Sequence, residues 1–194
     1  MPRTVVFNMT VSMDGRITGP AGEGDMEWVV PHVLEDVVRD QLDGAIRSAT
    51  TALMGSGNAE GFAIVWPPVA DDERADARDR AFARWLDETE KVVFSSTGTS
   101  TWRDARVVSG DAAAIVRDLL AEAGGDILVL NSVSLMQALL EADLIDRIDL
   151  VVVPEILGGG RMLFEQPLPA SSWSLEELGR GETGVLALRF RRRR

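Results

Sequence analysis

The sequence has 194 residues and a formal net charge of −11 at pH 7. It contains no Cys and a single His, which excludes disulfide scaffolds, thiolate zinc sites, Cys nucleophiles and His-rich metal sites. The acidic balance argues against nucleic-acid binding, and the apolar runs are too short to span a membrane. No charged and apolar leader precedes the first strand pattern. We therefore expect one globular cytoplasmic domain over residues 1–194, with no metal, nucleic-acid or membrane partner.

Strand and helix patterns alternate through the N-terminal half. In the first predicted strand, 4–13, apolar residues alternate on one face, whereas Asn8, Thr10 and Ser12 place small polar groups on the other. We expect this second face to border a cavity. The pattern then predicts a loop at 14–25, a helix at 27–50, a strand at 51–54, a Gly-rich loop with a Pro-Pro turn at 67–68, a helix at 73–89 and a strand at 91–94.

The C-terminal half continues this alternation and ends in a hairpin. The pattern predicts strands at 106–109, 126–130 and 147–154, helices that begin at Asp111 and at Ser132 or Ser134, a tight structural turn at 158–161, and an antiparallel hairpin at 173–190. Leu186, Leu188 and Phe190 share the inner face of the hairpin, on an expected edge strand. The order of elements predicts an α/β fold with a mixed, mainly parallel sheet.

The C-terminus carries a run of basic side chains, at Arg189 and at 191–194. Such a run can contact an anion or a nucleic acid, or it can be a frayed and solvated chain end. We favour the chain end, because no aromatic residues are interleaved with the arginines.

Three polar or Gly-containing segments follow predicted strands: GSGNAEG at 55–61, SSTGTST at 95–101 and NSVSL at 131–135. Ligands of open α/β sheets bind beyond the carboxyl ends of the parallel strands, where helix N-termini offer free N–H groups to phosphates. The three segments could therefore contribute to one phosphate-bearing ligand, or they could be ordinary turns. The first segment has the spacing GxGxxxG and not GxGxxG, so we reject a Rossmann dinucleotide site.

Two single residues near the first predicted helix are candidates for a site. His32 is the one group that titrates near neutrality without perturbation, and it is interpreted either as a proton donor or ligand contact or, preferably, as a surface residue of the helix. Trp28 is interpreted either as the wall of a pocket or as part of the core.

The motifs VSMDGRITGP, MEW and KVVFSST, and the segment from Leu139 to Phe164, occur in an order that resembles the dihydrofolate-reductase-like superfamily. The most similar branch contains the reductase domain of the riboflavin-biosynthesis deaminase/reductase and its stand-alone relatives. The resemblance implies a three-layer dihydrofolate-reductase-like fold, NADPH as the hydride donor, with NADH or a flavin-type cofactor as alternatives, a small heterocyclic substrate, and a homodimer.

The resemblance also implies roles for individual positions. Trp28 and Arg47 match residues that contact the substrate. The positions that match cofactor loops are Val11, Gly55, Ser56, Asn58, Ser95, Ser96, Thr97, Asn131, Ser132, Val133, Ser134 and Leu135. The relatives usually carry an Arg at the position of Ser56 and a Thr at that of Asn58. They carry Gly-Gly or Glu-x-Gly where this chain reads Leu130-Asn131-Ser132, so the substrate-binding Glu of the riboflavin enzyme is missing.

These features predict an NADPH-dependent oxidoreductase that transfers hydride to a C=N or C=O group of a small polar, pterin- or pyrimidine-like substrate. The catalytic residue is unknown, with His32 or a bound water as the candidate proton donor. Two alternatives stay open: a non-catalytic ligand-binding relative with decayed cofactor loops, and a hydrolase that uses Asp14, Glu27 or His32.

Overall fold

The computed structural model describes residues 2–194 and contains eight strands in one sheet. The strands are β1 (Val5–Ser12), β2 (Ala49–Gly55), β3 (Glu90–Phe94), β4 (Arg106–Val108), β5 (Asp126–Leu130), β6 (Arg147–Val153), β7 (Ser172–Arg180) and β8 (Leu186–Arg193). Their order across the sheet is β4-β3-β2-β5-β1-β6-β8-β7. The first six strands in this order pair in parallel, and β8 pairs antiparallel with both β6 and β7.

This topology confirms the predicted mixed, mainly parallel sheet with a C-terminal antiparallel hairpin. It corrects the placement of the edge, since β7 is the edge strand and β8 lies between β6 and β7. Leu186, Leu188 and Phe190 therefore lie on an interior strand, opposite Val152, Leu150 and Ile148 of β6. The expected edge strand was wrong because the alternation within a hairpin does not show which of its two strands pairs with the rest of the sheet.

The helices are α1 (Val30–Val33), α2 (Asp36–Ile46), α3 (Ser56–Val65), α4 (Ala77–Glu88), α5 (Ala112–Ala121) and α6 (Val133–Glu141), with short 3₁₀ segments at Glu27–Val29 and Pro67–Val69. Between residues 2 and 194, no helix has the length and apolar character needed to cross a membrane. The single helix predicted over 27–50 is interrupted at Glu35, whose backbone is extended at ψ 148°. The Glu35 carboxylate accepts hydrogen bonds from the backbone N–H groups of Glu182 and Thr183. The spacing of apolar residues in the helix cannot show these contacts with a distant turn.

The segment after Gly55 was predicted as a loop, and it is α3 in the structure. Two glycines lower its intrinsic helix propensity, but Phe62 packs edge-on against Phe82 of α4 with ring centroids 6.3 Å apart. Tertiary packing therefore stabilises a helix that the local composition disfavours.

Helices cover both sides of the sheet in three layers. On the α5/α6 face, Val5, Phe7, Met9 and Val11 of β1 are buried in one apolar cluster with both helices, as the alternation predicted. On the opposite face, which we call the α2/α3 face, the apolar side chains form two separate clusters. One lies under α3 and α4, and the other lies between the N-terminal half of α2, strand β6 and Val185, which directly precedes β8.

The basic C-terminus is part of β8 and is paired with acidic side chains. Arg189 contacts Asp149 at 3.0 Å, and Arg192 contacts Asp143 at 2.8 Å. The Arg192 guanidinium also holds the pKa of Asp143 below its ordinary value. The expected frayed terminus was therefore wrong, because the acids that pair with these arginines lie on elements distant in sequence.

The loops after β1 and β6 are joined by hydrogen bonds. Asp14 accepts the backbone N–H groups of Leu157 (3.2 Å) and Gly158 (3.0 Å), and Thr18 Oγ1 accepts that of Arg161 at 3.0 Å. Gly160 has φ +92°, and a Cβ there would lie 2.0 Å from the Thr18 carbonyl oxygen. The Gly-rich segment at 158–161 is thus a close contact between two loops, in agreement with the predicted structural turn.

Candidate active site

The central strand β1 extends beyond its neighbour β5, and we call the region beside this free end of β1 the cleft. Asn8 pairs with Leu130, the last residue of β5, whereas β1 continues beside β6 to Ser12. The backbone N–H of Asn131 donates to the Asn8 carbonyl at 3.1 Å as the chain leaves β5. Helices α3 and α6 begin at this end of the sheet, directly after β2 and shortly after β5. This arrangement is typical of ligand sites in open α/β sheets.

Ser132 and Asn58 join the two loops beside the cleft. Ser132 Oγ accepts from the Gly55 N–H at 2.8 Å and from Asn58 Nδ2 at 3.1 Å, and it donates to the Leu130 carbonyl at 3.1 Å. Asn58 Nδ2 also donates to the Asn131 carbonyl at 2.5 Å. The Ser132 hydroxyl thus donates one hydrogen bond and accepts two, which uses its full hydrogen-bonding capacity. All three bonds hold the two loops together.

The backbone of both loops presents hydrogen-bond donors. The first N–H groups of an α-helix have no intrahelical acceptor, so the starts of α3 and α6 offer such groups on either side of the Ser132 contacts. At Gly57 a Cβ would have no neighbour within 4 Å, so this turn faces open space. Asn131 has φ +49°, a conformation that Asn tolerates better than most residues. The predicted cofactor positions at 55–58 and 131–135 are therefore brought together.

Hydroxyl groups line the chain after β3, which pairs with β2. Ser95 Oγ and Thr97 Oγ1 lie 3.0 Å apart; Ser95 is buried, whereas Ser96 and Thr97 are exposed. The run lies one strand away from Gly55, on the same end of the sheet. Arg103, in the following loop, contacts Asp87 at 3.8 Å, near the opposite end of β3.

The remaining predicted residues near the cleft, Val11 and Trp28, pack against apolar clusters. Val11 is buried on the α5/α6 face, in the same apolar cluster as Val133 and Leu135. Trp28 is half-buried against the cluster that contains Val153, and its indole N–H donates to the Asp25 carbonyl at 3.0 Å.

Arg47 is at the wrong end of the sheet for the predicted substrate contact. It follows α2 and precedes β2, whereas the cleft lies beyond the other end of that strand. A strand of this length places its ends about 20 Å apart. The Arg47 side chain is 76% exposed and pairs with Asp43 at 2.5 Å. The structure therefore does not bring Arg47 to the cleft.

His32 is buried and joins three elements, in contrast to the expected surface position. It is 6% exposed; Nδ1 lies 2.8 Å from Thr183 Oγ1 in the β7–β8 turn, and Nε2 lies 3.6 Å from Glu155 after β6. Glu35 accepts the Thr183 N–H at 2.7 Å, and its hydrogen bonds to Thr183 lower the pKa of the Glu35 carboxyl.

The three residues considered for a hydrolase do not form one group of reactive side chains. The Ser12 hydroxyl donates to Asp14 at 2.6 Å and, with the backbone N–H groups of the β6 loop, lowers the pKa of Asp14 to about 2. Glu27 is exposed, and His32 is enclosed by Thr183 and Glu155. Asp14 is therefore occupied in loop structure, and the geometry gives the hydrolase alternative no support.

The sequence from residue 3 to residue 187 matches the family model of the RibD C-terminal domain. The chain belongs to this family. No curated protein sequence gives a significant match. Among solved structures, the fold is similar to that of a putative riboflavin biosynthesis protein from Shewanella sp. PV-4, with a TM-score of 0.71, 19% identity and coverage of 98% of this chain and 99% of that one.

Two further structures show the same fold. A pyrimidine reductase-like protein from Corynebacterium diphtheriae has a TM-score of 0.65, 15% identity and coverage of 99% of this chain and 92% of that one. A dihydrofolate reductase from Enterococcus faecalis, complexed with NADP(H), has a TM-score of 0.63, 14% identity and coverage of 98% of this chain and 97% of that one. The dihydrofolate-reductase-like fold is thereby confirmed, and membership of the RibD C-terminal domain family supports a reductase-like function.

Two polar residues of this RibD C-terminal domain were not among the predicted site residues. Asn8 and Thr10 lie on β1 beside the cleft and are only partly buried. The alternation of β1 already showed a polar face. The sequence also predicted that this face borders a cavity, but it could not show which neighbouring elements leave the face uncovered, because that depends on where α2 and α3 pack.

Proposed function

We propose that this protein is a nicotinamide-dependent reductase that transfers hydride to a C=N or C=O group of a small polar, pyrimidine- or pterin-like substrate. The observation that carries the proposal is the convergence of two helix N-termini, joined through Ser132, beside the open end of β1. Membership of the RibD C-terminal domain family supports the reductase chemistry.

The residues beside the cleft fit a nicotinamide dinucleotide. Backbone N–H groups at the starts of α3 and α6 would hold its pyrophosphate, and the hydroxyls of Ser95, Ser96 and Thr97 would hold further phosphate oxygens. Bound NADPH would supply the hydride, while the protein would orient the nicotinamide against the substrate and exclude water. Of the two proton donors considered, we favour bound water, because His32 Nδ1 is engaged by Thr183 in a buried position.

A non-catalytic ligand-binding protein is the second candidate. Ser56 replaces the Arg that relatives use on a cofactor phosphate, and the Ser132 hydroxyl is saturated by contacts within the protein. Both features reduce the side-chain contribution to cofactor binding, although they leave the backbone donors in place.

Calorimetric titration with NADPH, NADH and a flavin distinguishes the two candidates. A reductase should bind NADPH or NADH and oxidise it in the presence of a reducible pteridine or pyrimidine. Binding of a heterocycle with no nicotinamide binding at millimolar concentration would support the non-catalytic candidate and would contradict the reductase.

The α5/α6 face continues onto strands that those helices leave open. Leu175 and Leu178 of β7 are 51% and 59% exposed, and Phe164 in the preceding loop is 53% exposed. They adjoin a cavity of about 210 Å³ lined by Phe7, Met136, Ile148, Leu150, Leu163, Phe164, Trp173 and Phe190. Exposed apolar surface of this kind is typical of a protein interface.

We propose that a second copy of the chain covers this face in a homodimer. In a dimer with two-fold symmetry, the same apolar strands of the two copies would pack against each other. No other partner would be needed to cover them. Light scattering at micromolar concentration should give twice the chain mass. The double substitution L175E/L178E should give the monomer mass with unchanged secondary structure, whereas a wild-type monomer would contradict the proposal.

A further inference from the structure

A cavity apart from the cleft lies beside the C-terminal half of α4. Its volume is about 240 Å³, and its walls are the segment after α3, the second half of α4 and Trp102 in the loop after β3. Helix α4 ends just before β3 begins, whereas Ser95 follows the other end of β3, so the cavity is separate from the candidate active site. Sites for drug-sized ligands measure roughly 300–1,000 Å³, so this cavity suits a smaller molecule.

Two indole N–H groups at this cavity have no partner in the protein. The sequence contains five Trp residues. The indoles of Trp28, Trp85 and Trp173 donate to oxygen atoms at 3.0, 2.9 and 3.0 Å. Trp66 and Trp102 both line the cavity, and their indoles donate to no acceptor within residues 2–194. Because a buried Trp usually finds an acceptor for its N–H, this pattern indicates that the acceptor belongs to a ligand.

The two indoles without acceptors lie close to each other. The ring centroids of Trp66 and Trp102 are 6.3 and 6.5 Å from that of Phe62. Neither indole nitrogen is sealed inside the protein. Trp102 is 8% exposed, and this cavity is the open space that it lines, so its N–H is available to a ligand there. One acceptor oxygen, or two neighbouring ones, would satisfy both groups.

Carboxylates predominate among the charged groups of the lining. Asp71, Asp87 and Glu88 carry three negative charges, and Arg84 carries one positive charge. Asp71 and Glu88 are exposed and form no ion pair in the part of the chain that the structure describes. Asp87 contacts Arg103 at 3.8 Å, and the two side chains are 73% and 82% exposed. The lining therefore offers carboxylates that a cation on a ligand could pair with.

The nearest buried cation does not serve these carboxylates. Lys91 lies behind the wall of the cavity, and its ammonium donates to three backbone carbonyl groups at 3.0, 2.8 and 3.1 Å. Burial lowers the pKa of Lys91, so this cation is itself poorly solvated. At the other end of α4, by contrast, Asp76 is paired with Arg78 at 2.8 Å. The negative potential at the cavity is thus left to attract a cation from outside.

We propose that this cavity binds a small organic amine with an apolar body and an acceptor oxygen. Its ammonium group would pair with the carboxylates of Asp71, Asp87 and Glu88, and its oxygen would accept from the indoles of Trp66 and Trp102. The apolar body would contact the alanine and leucine side chains of α4 that line the cavity. The proposal adds a second ligand site and uses no part of the reductase function.

The test is calorimetric titration, without cofactor, of three probes that differ by one group. Phenylalaninol carries an ammonium, a hydroxyl and a phenyl ring. The ammonium is missing from 3-phenylpropanol, and the hydroxyl is missing from phenethylamine. Wild-type protein should bind phenylalaninol about tenfold more tightly than 3-phenylpropanol, because a neutral probe gains nothing from the carboxylates. It should also prefer phenylalaninol to phenethylamine, which leaves the indole N–H groups without an acceptor.

The double substitution D71N/D87N keeps the size of both side chains and removes their charge. It should weaken phenylalaninol binding about tenfold, since each exposed pair contributes up to about 1 kcal/mol. Glu73→Gln is the matched control, because Glu73 is an exposed acid in the same segment and lies outside the lining. We expect this variant to bind phenylalaninol as the wild type does.

Trp102→Phe tests the indole donor. It should weaken phenylalaninol binding and leave the affinity for phenethylamine unchanged, which also shows that the variant is folded. Equal affinity of the wild type for phenylalaninol and 3-phenylpropanol, or no binding at millimolar concentration, would overturn the inference. So would an effect of Glu73→Gln as large as that of D71N/D87N, because the attraction would then not belong to this cavity.

Discussion

The hydroxyl of Ser132 accepts the backbone N–H of Gly55 at 2.8 Å and thereby joins the end of β2 to the start of α6. The two residues are 77 positions apart in the sequence. The contact fixes the two helix N-termini relative to each other, so that their N–H groups can act on one ligand. It also occupies a hydroxyl that sequence comparison alone would assign to the cofactor.

Ser132→Ala should lower the free energy of unfolding by about 1–3 kcal/mol, because it leaves the Gly55 N–H without its acceptor. For a chain of this size, each kcal/mol lowers the melting temperature by about 2–4 °C. Thermal unfolding measures the loss. Ser134→Ala is the control, since Ser134 is exposed at the start of the same helix, and an equal effect of both variants would contradict the role of Ser132.

Arg47→Ala should leave ligand binding unchanged and alter the stability by no more than about 0.5 kcal/mol. The resemblance implies a substrate contact for Arg47, but the side chain is exposed and, within residues 2–194, pairs only with Asp43 in the α2 helix. Calorimetry with NADPH and pteridine-2,4-dione provides the measurement. A tenfold loss of affinity for pteridine-2,4-dione would show that Arg47 acts on the cleft in spite of its position.

NADPH should bind with less than about tenfold preference over NADH, the ratio that 1.4 kcal/mol represents. The cofactors differ by one phosphate, and this chain has Ser56 at the position where the family resemblance implies an Arg for such a group. Ser56→Arg should restore a charge-assisted contact and raise the preference by about one to two decades. Submicromolar binding of NADPH with no detectable NADH binding by the wild type would show that another cation serves the phosphate.

The contribution of Asp14 to stability should be lost in acid. Its pKa is lowered from 3.8 to about 2 in the folded protein, so the carboxylate stabilises the fold fully above about pH 4. This contribution declines as the pH falls from 3.8 towards 2 and the carboxylate accepts a proton. Urea unfolding of wild type and Asp14→Asn should therefore differ at pH 7 and converge near pH 2. A constant difference across this range would contradict the assignment.

The sequence by itself determined the strands and the class of fold. Period-two alternation placed Val5, Phe7, Met9 and Val11 on the buried face of β1, and the alternation of strand and helix patterns along the chain predicted a mainly parallel sheet. These signals are local, because each reports which side of one strand faces the core. The family motifs added the dihydrofolate-reductase-like topology and the loops beside the cleft.

Only the tertiary structure decided which residues meet. The break at Glu35 depends on Thr183, 148 positions away, and the ion pairs of the C-terminal arginines depend on acids in β6, in β7 and in the turn after α6. Arg47 lies far from the candidate site because α2 ends at the opposite end of β2. Asn8 lies beside the site because α2 and α3 leave β1 uncovered between two apolar clusters. Such contacts join groups that the chain brings together only when its helices pack on the sheet, so no local pattern contains them.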